Sequence, residues 1–338
     1  MNSSMWGNSQ THHFYNLDPN QIMDAVDACG FKTTGRYLQL NSMENRVFEL
    51  EIELPKNLNK IIYPHDRFKI AKFYRPQRWS KEQILEEHQF LLDLKRNNIS
   101  VIAPLEIEGE TLFEIPSLDI HYSVYDKVPG RSPQELSLED FTRLGYLTAK
   151  IHQIGKKSKF QHRNEISTQL YGQSNIAFLL QKNFIPLHLC SSIEKSVESI
   201  CQKGHPYLAN AEKQRVHGDL HLGNIIHDGK DFVFLDFDDS FMGPIVQDLW
   251  LFLPAHEQES KQHFWDGYEQ VNIIKNDQKP LIELLRALRY IHMTGWIARR
   301  WSDPSFKINF PHFEEDMYWE NFNKDLLIQQ KIIEESLL

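Results

Sequence analysis

The sequence predicts a two-lobed α+β protein, with an antiparallel-sheet lobe carrying one key helix over residues 1–126 and a mainly helical lobe over residues 127–338. Three observations predict it. Strand-like alternation crowds the first third of the chain. Helical patterning dominates after Val128-Pro129-Gly130, which reads as a connector. The 338 residues also exceed the roughly 150 expected of one domain.

The elements follow in order. Residues 1–17 are polar and carry no periodic signal. Asp18-Pro19 opens a helix, with Asp18 as N-cap and Pro19 in the first turn. Ile22, Val26 and Cys29 fall on one face of it, and Gly30 ends it. A strand is expected near Arg36–Leu40, then a loop at Asn41–Asn45. Phe48, Leu50, Ile52 and Leu54 alternate with Glu49, Glu51 and Glu53, the pattern of a half-buried strand. Pro55–Lys60 reads as a turn and Phe68–Tyr74 as a third strand carrying Lys72. Ser80 and Gln83 form the capping box of a helix that runs to Asn97. Further strands are expected near Val101–Ile107, Thr111–Ile115 and Tyr122–Asp126. In the second lobe Ser137 caps a helix to Ile154, closed by Gly155, and helical segments follow near 191–210, 256–274 and 280–300. Between them lie His217–Ile226, a turn at Asp228-Gly229 and a strand Phe232–Phe237.

Bulk properties narrow the function. Hydrophobic residues make up 41% and charged residues 25%, an ordinary globular composition. The net charge of −9 argues against a duplex nucleic acid as partner, because such proteins carry a basic face. Cys29, Cys190 and Cys201 have no metal-ligand spacing and form no even framework, so a reducing compartment is expected. The N-terminus lacks the charged start and apolar run of a signal peptide. The longest apolar stretch, around Leu249–Leu253, falls far short of the roughly 18 residues that span a bilayer. A cytoplasmic protein is expected, acting as a monomer and not on a membrane. His12-His13 is too short and isolated to argue for a metal site.

The strongest chemical feature is His217-Gly218-Asp219-Leu220-His221-Leu222-Gly223-Asn224, followed after a hairpin turn by Leu235-Asp236-Phe237-Asp238-Asp239. Two carboxylates and an amide are thereby brought to the ends of two short adjacent strands. Phosphoryl transfer needs such a set: an acceptor for the nucleophile's proton, and oxygen ligands for Mg²⁺ that leave room for phosphates. An Asp followed five residues later by Asn, with a further Asp on the next hairpin strand, is the spacing of a kinase catalytic loop. Any one of these residues alone reads as a turn former. The combination points to a site, because Asp236 interrupts an apolar strand. Lys72 also sits on an apolar strand, where a charge must be paired. At about 100° per residue, Ile84, Glu87, Leu91 and Leu94 share one helix face and Glu86 points away, which selects Glu87 as the inward carboxylate.

These residues are similar to those of the aminoglycoside phosphotransferase and choline kinase superfamily, which shares the bilobal protein-kinase-like fold. Asn41–Val47, Lys72-Phe73-Tyr74-Arg75-Pro76, Ile84–Phe90, Gln247-Asp248-Leu249-Trp250 and Ala298–Pro304 resemble its bacterial stress response kinase branch. These blocks cover nearly the whole chain. The resemblance implies an ATP- and Mg²⁺-dependent serine/threonine protein kinase acting in stress responses, with a protein substrate that can be the kinase itself. It implies Asp219 as catalytic base, Asp236 as catalytic metal ligand with Asn224 beside it, and Lys72 on the phosphates, steadied by Glu87. The hinge would lie at Tyr125-Asp126-Lys127, with Tyr125 and Lys127 near the nucleotide, and ATP between the lobes. Asp238 is the fallback metal ligand if the strand continues past Asp236.

One departure concerns the loop expected over the phosphates. It contains no glycine, so Ser42 and a few backbone donors would have to serve, and a plain hairpin turn stays open as the other reading. Asp248 reads either as a helix N-cap or as a brace beneath the catalytic loop. Residues 286–301 interleave Arg286, Arg289, Arg299 and Arg300 with Trp296 and Trp301. A helix core with wet-face arginines is expected there, a substrate face being the other reading. The main competitor is a small-molecule hydroxyl kinase acting on an aminoglycoside, choline, homoserine or a sugar, which shares the catalytic loop. A non-catalytic nucleotide-binding module is opposed by the presence of base, metal ligands and lysine together.

Overall fold

The computed structural model describes residues 14, 17–54, 63–253, 257–274, 278 and 280–336. The turn expected at Pro55–Lys60, the His12-His13 pair and nearly all of residues 1–17 lie outside them. In chain order the first elements are α1 (Pro19–Ala28), β1 (Thr33–Leu40), β2 (Arg46–Ile52), β3 (Phe68–Phe73), α2 (Lys81–Arg96), β4 (Phe113–Ile115) and β5 (Ile120–Asp126). There follow α3 (Leu138–Gly155), α4 (Ser174–Gln181), α5 (Leu187–Asn210), β6 (Gln214–Val216), β7 (Ile225–His227), β8 (Phe232–Phe234) and β9 (Phe241–Gly243). The last are α6 (Val246–Phe252), α7 (Gln258–Glu269), α8 (Leu281–Arg299), α9 (Pro304–Asn309) and α10 (Asp316–Ser336). Two compact units divide the chain: Met1–Leu136 with His221–Asp239, and Ser137–Leu220 with Ser240–Leu338.

The first unit is built on a five-stranded antiparallel sheet of order β1-β2-β3-β5-β4. Strand period two sorts its faces. Phe48, Leu50, Ala71, Phe73, Tyr122 and Val124 pack with Ile22, Ala25 and Val26 of α1 in one core. Lys72, registered between Val47 of β2 and Ser123 of β5, belongs to the opposite face. Asp18 caps α1 in a capping box with Gln21, and Ser80 caps α2 in one with Gln83. The hairpin β7–β8 belongs to this unit and is antiparallel, with Ile225 opposite Phe234.

Two expectations fail here. Val101–Ile107 is not a strand. Val101 makes only an isolated bridge to Phe234, and Leu105 N donates to Val124 O at 2.8 Å. Pro104 between them has no N–H to continue a ladder. The strand expected to Phe237 stops at Phe234. Asp236 has φ +59°, in the left-handed region, and Phe237–Asp239 form a 3₁₀ turn, so the alternation that would place Asp238 on Asp236's face ends there.

The second unit is mainly helical, with β6 and β9 as a short antiparallel pair. Helices α3 and α7 pack closely, because a Cβ on Gly145 would lie 2.0 Å from Phe264 O and one on Gly267 1.9 Å from Thr142 O. Gly155 is the last residue of α3, one position past the expected Ile154. A Cβ there would meet Arg215 O at 2.3 Å, so the glycine serves close packing on the neighbouring strand. Helices α4, α9 and α10 carry no expectation from sequence. The expectation of wet-face arginines over residues 286–301 holds only in part: the Arg286 side chain is 41% exposed, but α4 and α10 pack around α8 and cover others. Arg300 is buried, and Arg299 lies over Phe178 and donates to Asn175 Oδ1 at 2.7 Å. Among the described residues no helix is long and apolar enough to cross a membrane, and Cys29, Cys190 and Cys201 are unpaired.

Candidate functional site

In the first unit the sheet face opposite the core presents Lys72. Its Nζ lies 3.2 Å from Asp238 Oδ1, 3.6 Å from Glu87 Oε1 and 4.0 Å from Asp236 Oδ1. Glu87 is 1% exposed and is the helix residue turned to Lys72, as the helical-face geometry expects. Burial by itself would push the Lys72 ammonium down. The carboxylates of Asp238 and Glu87 outweigh it and hold the group above the usual lysine range, so Lys72 stays charged. Such an ammonium can exchange a carboxylate for a phosphate oxygen at little electrostatic cost.

Asn224 and Asp236 flank the β7–β8 hairpin. Leu235 N donates to Asn224 O at 3.1 Å, which ties the two ends together. Asn224 is buried, whereas the Asp236 side chain is 54% exposed. Both offer oxygen, the donor type hard divalent cations prefer, and Asp236 has the exposure to admit further ligands.

The remaining residues expected near the nucleotide are placed less directly. Ser42 is half-buried on the Asn41–Asn45 loop. Tyr125 points its hydroxyl inward, 3.0 Å from Tyr74 Oη, and burial pushes its phenol up to about 12. Tyr74 Oη in turn lies 2.8 Å from His88 Nε2. Lys127 pairs with Glu49 at 2.8 Å. The Tyr125 and Lys127 side chains are thus engaged by their own sheet and helix.

In the second unit Asp219 sits on the segment that leaves β6. Gly218 before it has φ +89°, a conformation costly for other residues. Asp248, 0% exposed, holds the segment: Oδ2 accepts from His217 N at 2.9 Å and Oδ1 from Gly218 N at 2.8 Å. Gln247 Nε2 donates to Gly218 O at 3.0 Å. His152 Nε2 lies 3.0 Å from Asp248 Oδ2, and its Nδ1 lies 2.7 Å from Tyr268 Oη. Asp248 is therefore not an N-cap. It lies within α6 and uses its carboxylate on the loop.

Sequence reasoning missed three charged partners. Arg289 of α8 donates to Asp219 Oδ1 at 2.5 Å. Arg78 is buried and pairs with Asp238, and with Asp239 at 2.6 Å. Arg75 is buried against Glu44 at 2.8 Å. Arg75 and Arg78 lie just after the Lys72 strand, a position that hints at the same face. Nothing local points Arg289 to Asp219.

Comparison with known proteins finds relatives over nearly the whole chain. The profile of the phosphotransferase enzyme family matches residues 57–278. Stress response kinase A of Escherichia coli (strain K12) is 33% identical over 97% of this chain and 97% of its own length. A protein of Salmonella typhimurium (strain LT2) named serine/threonine protein kinase RdoA is 32% identical over the same shares. Among solved structures, an amicoumacin kinase in complex with AMP-PNP and Ca²⁺ superposes with a TM-score of 0.68 at 22% identity, covering 90% of this chain and 93% of that one. A spectinomycin phosphotransferase superposes with a TM-score of 0.63 at 12% identity, covering 92% and 98%. These two likenesses concern the fold.

Proposed function

This chain belongs to the phosphotransferase enzyme family and is an ATP-dependent phosphotransferase, and from that premise we propose that it is a Mg²⁺-dependent serine/threonine protein kinase of the bacterial stress response. The observation that carries the phosphate-handling part is the half-buried ammonium of Lys72 between Glu87, at 3.6 Å, and Asp236, at 4.0 Å. A lysine so placed pairs with nucleotide phosphates while the helix glutamate keeps it oriented.

The roles follow from the donor types. Asp219 orients the acceptor hydroxyl and takes its proton. Asn224 and Asp236 hold Mg²⁺, which when bound neutralises charge on the transferred phosphoryl group. Lys72 steadies the phosphates, Ser42 contacts them from the loop, and the hinge backbone around Tyr125 and Lys127 meets the adenine. Asp248 keeps the base-bearing segment in register.

Two observations support a protein acceptor. The similarity to the relative named a serine/threonine protein kinase runs over 97% of both chains. Arg289, 2.5 Å from Asp219, puts a fixed positive charge beside the base, which disfavours a polycationic acceptor such as an aminoglycoside. The test is transfer from radiolabelled ATP to general protein substrates, to the kinase itself and to a panel of small alcohols and aminoglycosides. Acid-stable phosphoserine or phosphothreonine that disappears in Asp219→Asn is the expected result. Efficient labelling of a small acceptor with no Asp219-dependent protein labelling refutes the protein substrate and leaves the phosphotransferase in place.

A further inference from the structure

The glycine-free loop and the buried charges after the Lys72 strand have one explanation. A glycine-rich loop reaches phosphates through backbone freedom. Here the loop is clamped instead. Arg75 Nε donates to Glu44 O at 3.0 Å and to Glu44 Oε2 at 2.8 Å, and Arg75 Nη2 reaches Met43 O at 3.4 Å. Arg75 N donates to Asn45 Oδ1 at 3.2 Å. Arg78 continues the chain of charges. Its Nε lies 4.0 Å from Glu44 Oε2, and its guanidinium pairs with Asp238 and Asp239. Asp238, 3% exposed, is the carboxylate nearest Lys72 Nζ. An unbroken ionic path thus runs from the loop through Arg75, Glu44, Arg78 and Asp238 to Lys72.

All of these groups lie in one compact unit. Arginine suits the Arg78 position because its planar fork reaches two carboxylates at once, which an ammonium does not. Removing it leaves Asp238 buried without its main counter-charge. The freed carboxylate then draws Lys72 harder and away from incoming phosphates, and Glu44 loses a neighbouring cation.

We propose that Arg78 is a positioning residue of the phosphate site: it fixes Asp238, and through it Lys72, and ties both to the Asn41–Asn45 loop in place of loop glycines. This rests on the kinase reading above. It also assigns Asp238 a role as Lys72's tether and not as a metal ligand.

The experiment measures Mg·AMP-PNP binding by calorimetry and thermal melting in the full chain, for wild type, Arg78→Lys and Arg78→Gln/Asp238→Asn. The double variant removes both charges together, so no buried charge is left unpaired and its melting temperature stays close to wild type. It is expected to bind Mg·AMP-PNP about ten- to a hundredfold more weakly, the scale of a misplaced phosphate ligand. Arg78→Lys keeps the charge but not the fork and falls between the two. Wild-type binding in the double variant overturns the proposal. So does a loss of binding that only tracks a loss of melting temperature across the series, which marks Arg78 as structural. A wild type that binds no Mg·AMP-PNP overturns the kinase reading itself and this proposal with it.

Discussion

Replacing Asp248 by Asn tests whether the base-bearing segment is held from below. The substitution is nearly isosteric, so packing within α6 is kept. The wild-type carboxylate accepts from His217 N at 2.9 Å and Gly218 N at 2.8 Å, and His152 Nε2 lies 3.0 Å away. Asn offers one oxygen, and its amide group then meets a backbone N–H head-on. One charge-assisted hydrogen bond, worth about 1.5–3 kcal/mol, is lost, and a buried donor is left unsatisfied at a further cost of about 1–3 kcal/mol. The expected destabilisation is about 3–5 kcal/mol, the range for removing one member of a buried ionic pair. In a unit of this size each kcal/mol lowers the melting temperature by about 2–4 °C, so calorimetry should record a fall of about 6–20 °C. Asp219 follows Gly218 directly in the chain. A shift of about 1 Å at Gly218 should also reduce turnover about a hundredfold at temperatures where the variant is folded. A loss of under about 1 kcal/mol with normal ATP turnover refutes the brace.

The other expectations bear on the reacting groups. Asp219→Asn should retain the fold and nucleotide binding but lower turnover about a hundred- to ten-thousandfold, the range of a positioned acid–base group; near-normal turnover removes Asp219 from that role. Asp236→Ala should abolish the gain in nucleotide affinity that Mg²⁺ confers, whereas Asp238→Ala weakens binding but keeps that gain; the reverse ranking, read by titration with and without Mg²⁺, moves the metal ligand to Asp238. A double-mutant cycle on ATP turnover should give coupling for Lys72 with Glu87 and little for Lys72 with Glu86, and the opposite outcome contradicts the 3.6 Å pairing. The folded-state value of Lys72 is raised, mainly against burial by Asp238 and Glu87, so its charge and the stability it contributes are fully present below the ordinary lysine value of about 10.4 and fade only at higher pH. Mg·AMP-PNP binding should therefore show no alkaline decline from Lys72 between about pH 7 and 10, and a mid-range decline that Lys72→Arg abolishes speaks against it.

The parts of this protein that were legible from sequence are the locally encoded ones. Capping boxes at Asp18 and Ser80 start their helices because the capping side chain and its partner are three residues apart. Alternation in Arg46–Ile52 appears directly as alternating burial. The turn of Glu87 toward Lys72 follows from 3.6-residue periodicity. The readings that failed are those where an apolar run met a backbone constraint. Pro104 denies Val101–Ile107 a ladder, and Asp236 leaves the strand for the left-handed region at φ +59°. Gly155 does stand at the end of α3, and its missing Cβ also serves packing on the Arg215 backbone, which sequence did not show.

By itself the sequence determined most of the strands and helices of the first unit, and the spacing of Asp219, Asn224 and Asp236 about one hairpin, because these depend on neighbours within a turn or a hairpin. Tertiary structure alone decided which charges meet. Arg78 finds Asp238 across 160 residues, Arg289 finds Asp219 across 70, and Asp248 finds the His217 amide across 31. A charged side chain carries no periodic signature of its partner. Burial makes each such pair obligatory, since an unpaired charge in the interior costs several kcal/mol, but only the packing of distant segments selects which partner it is.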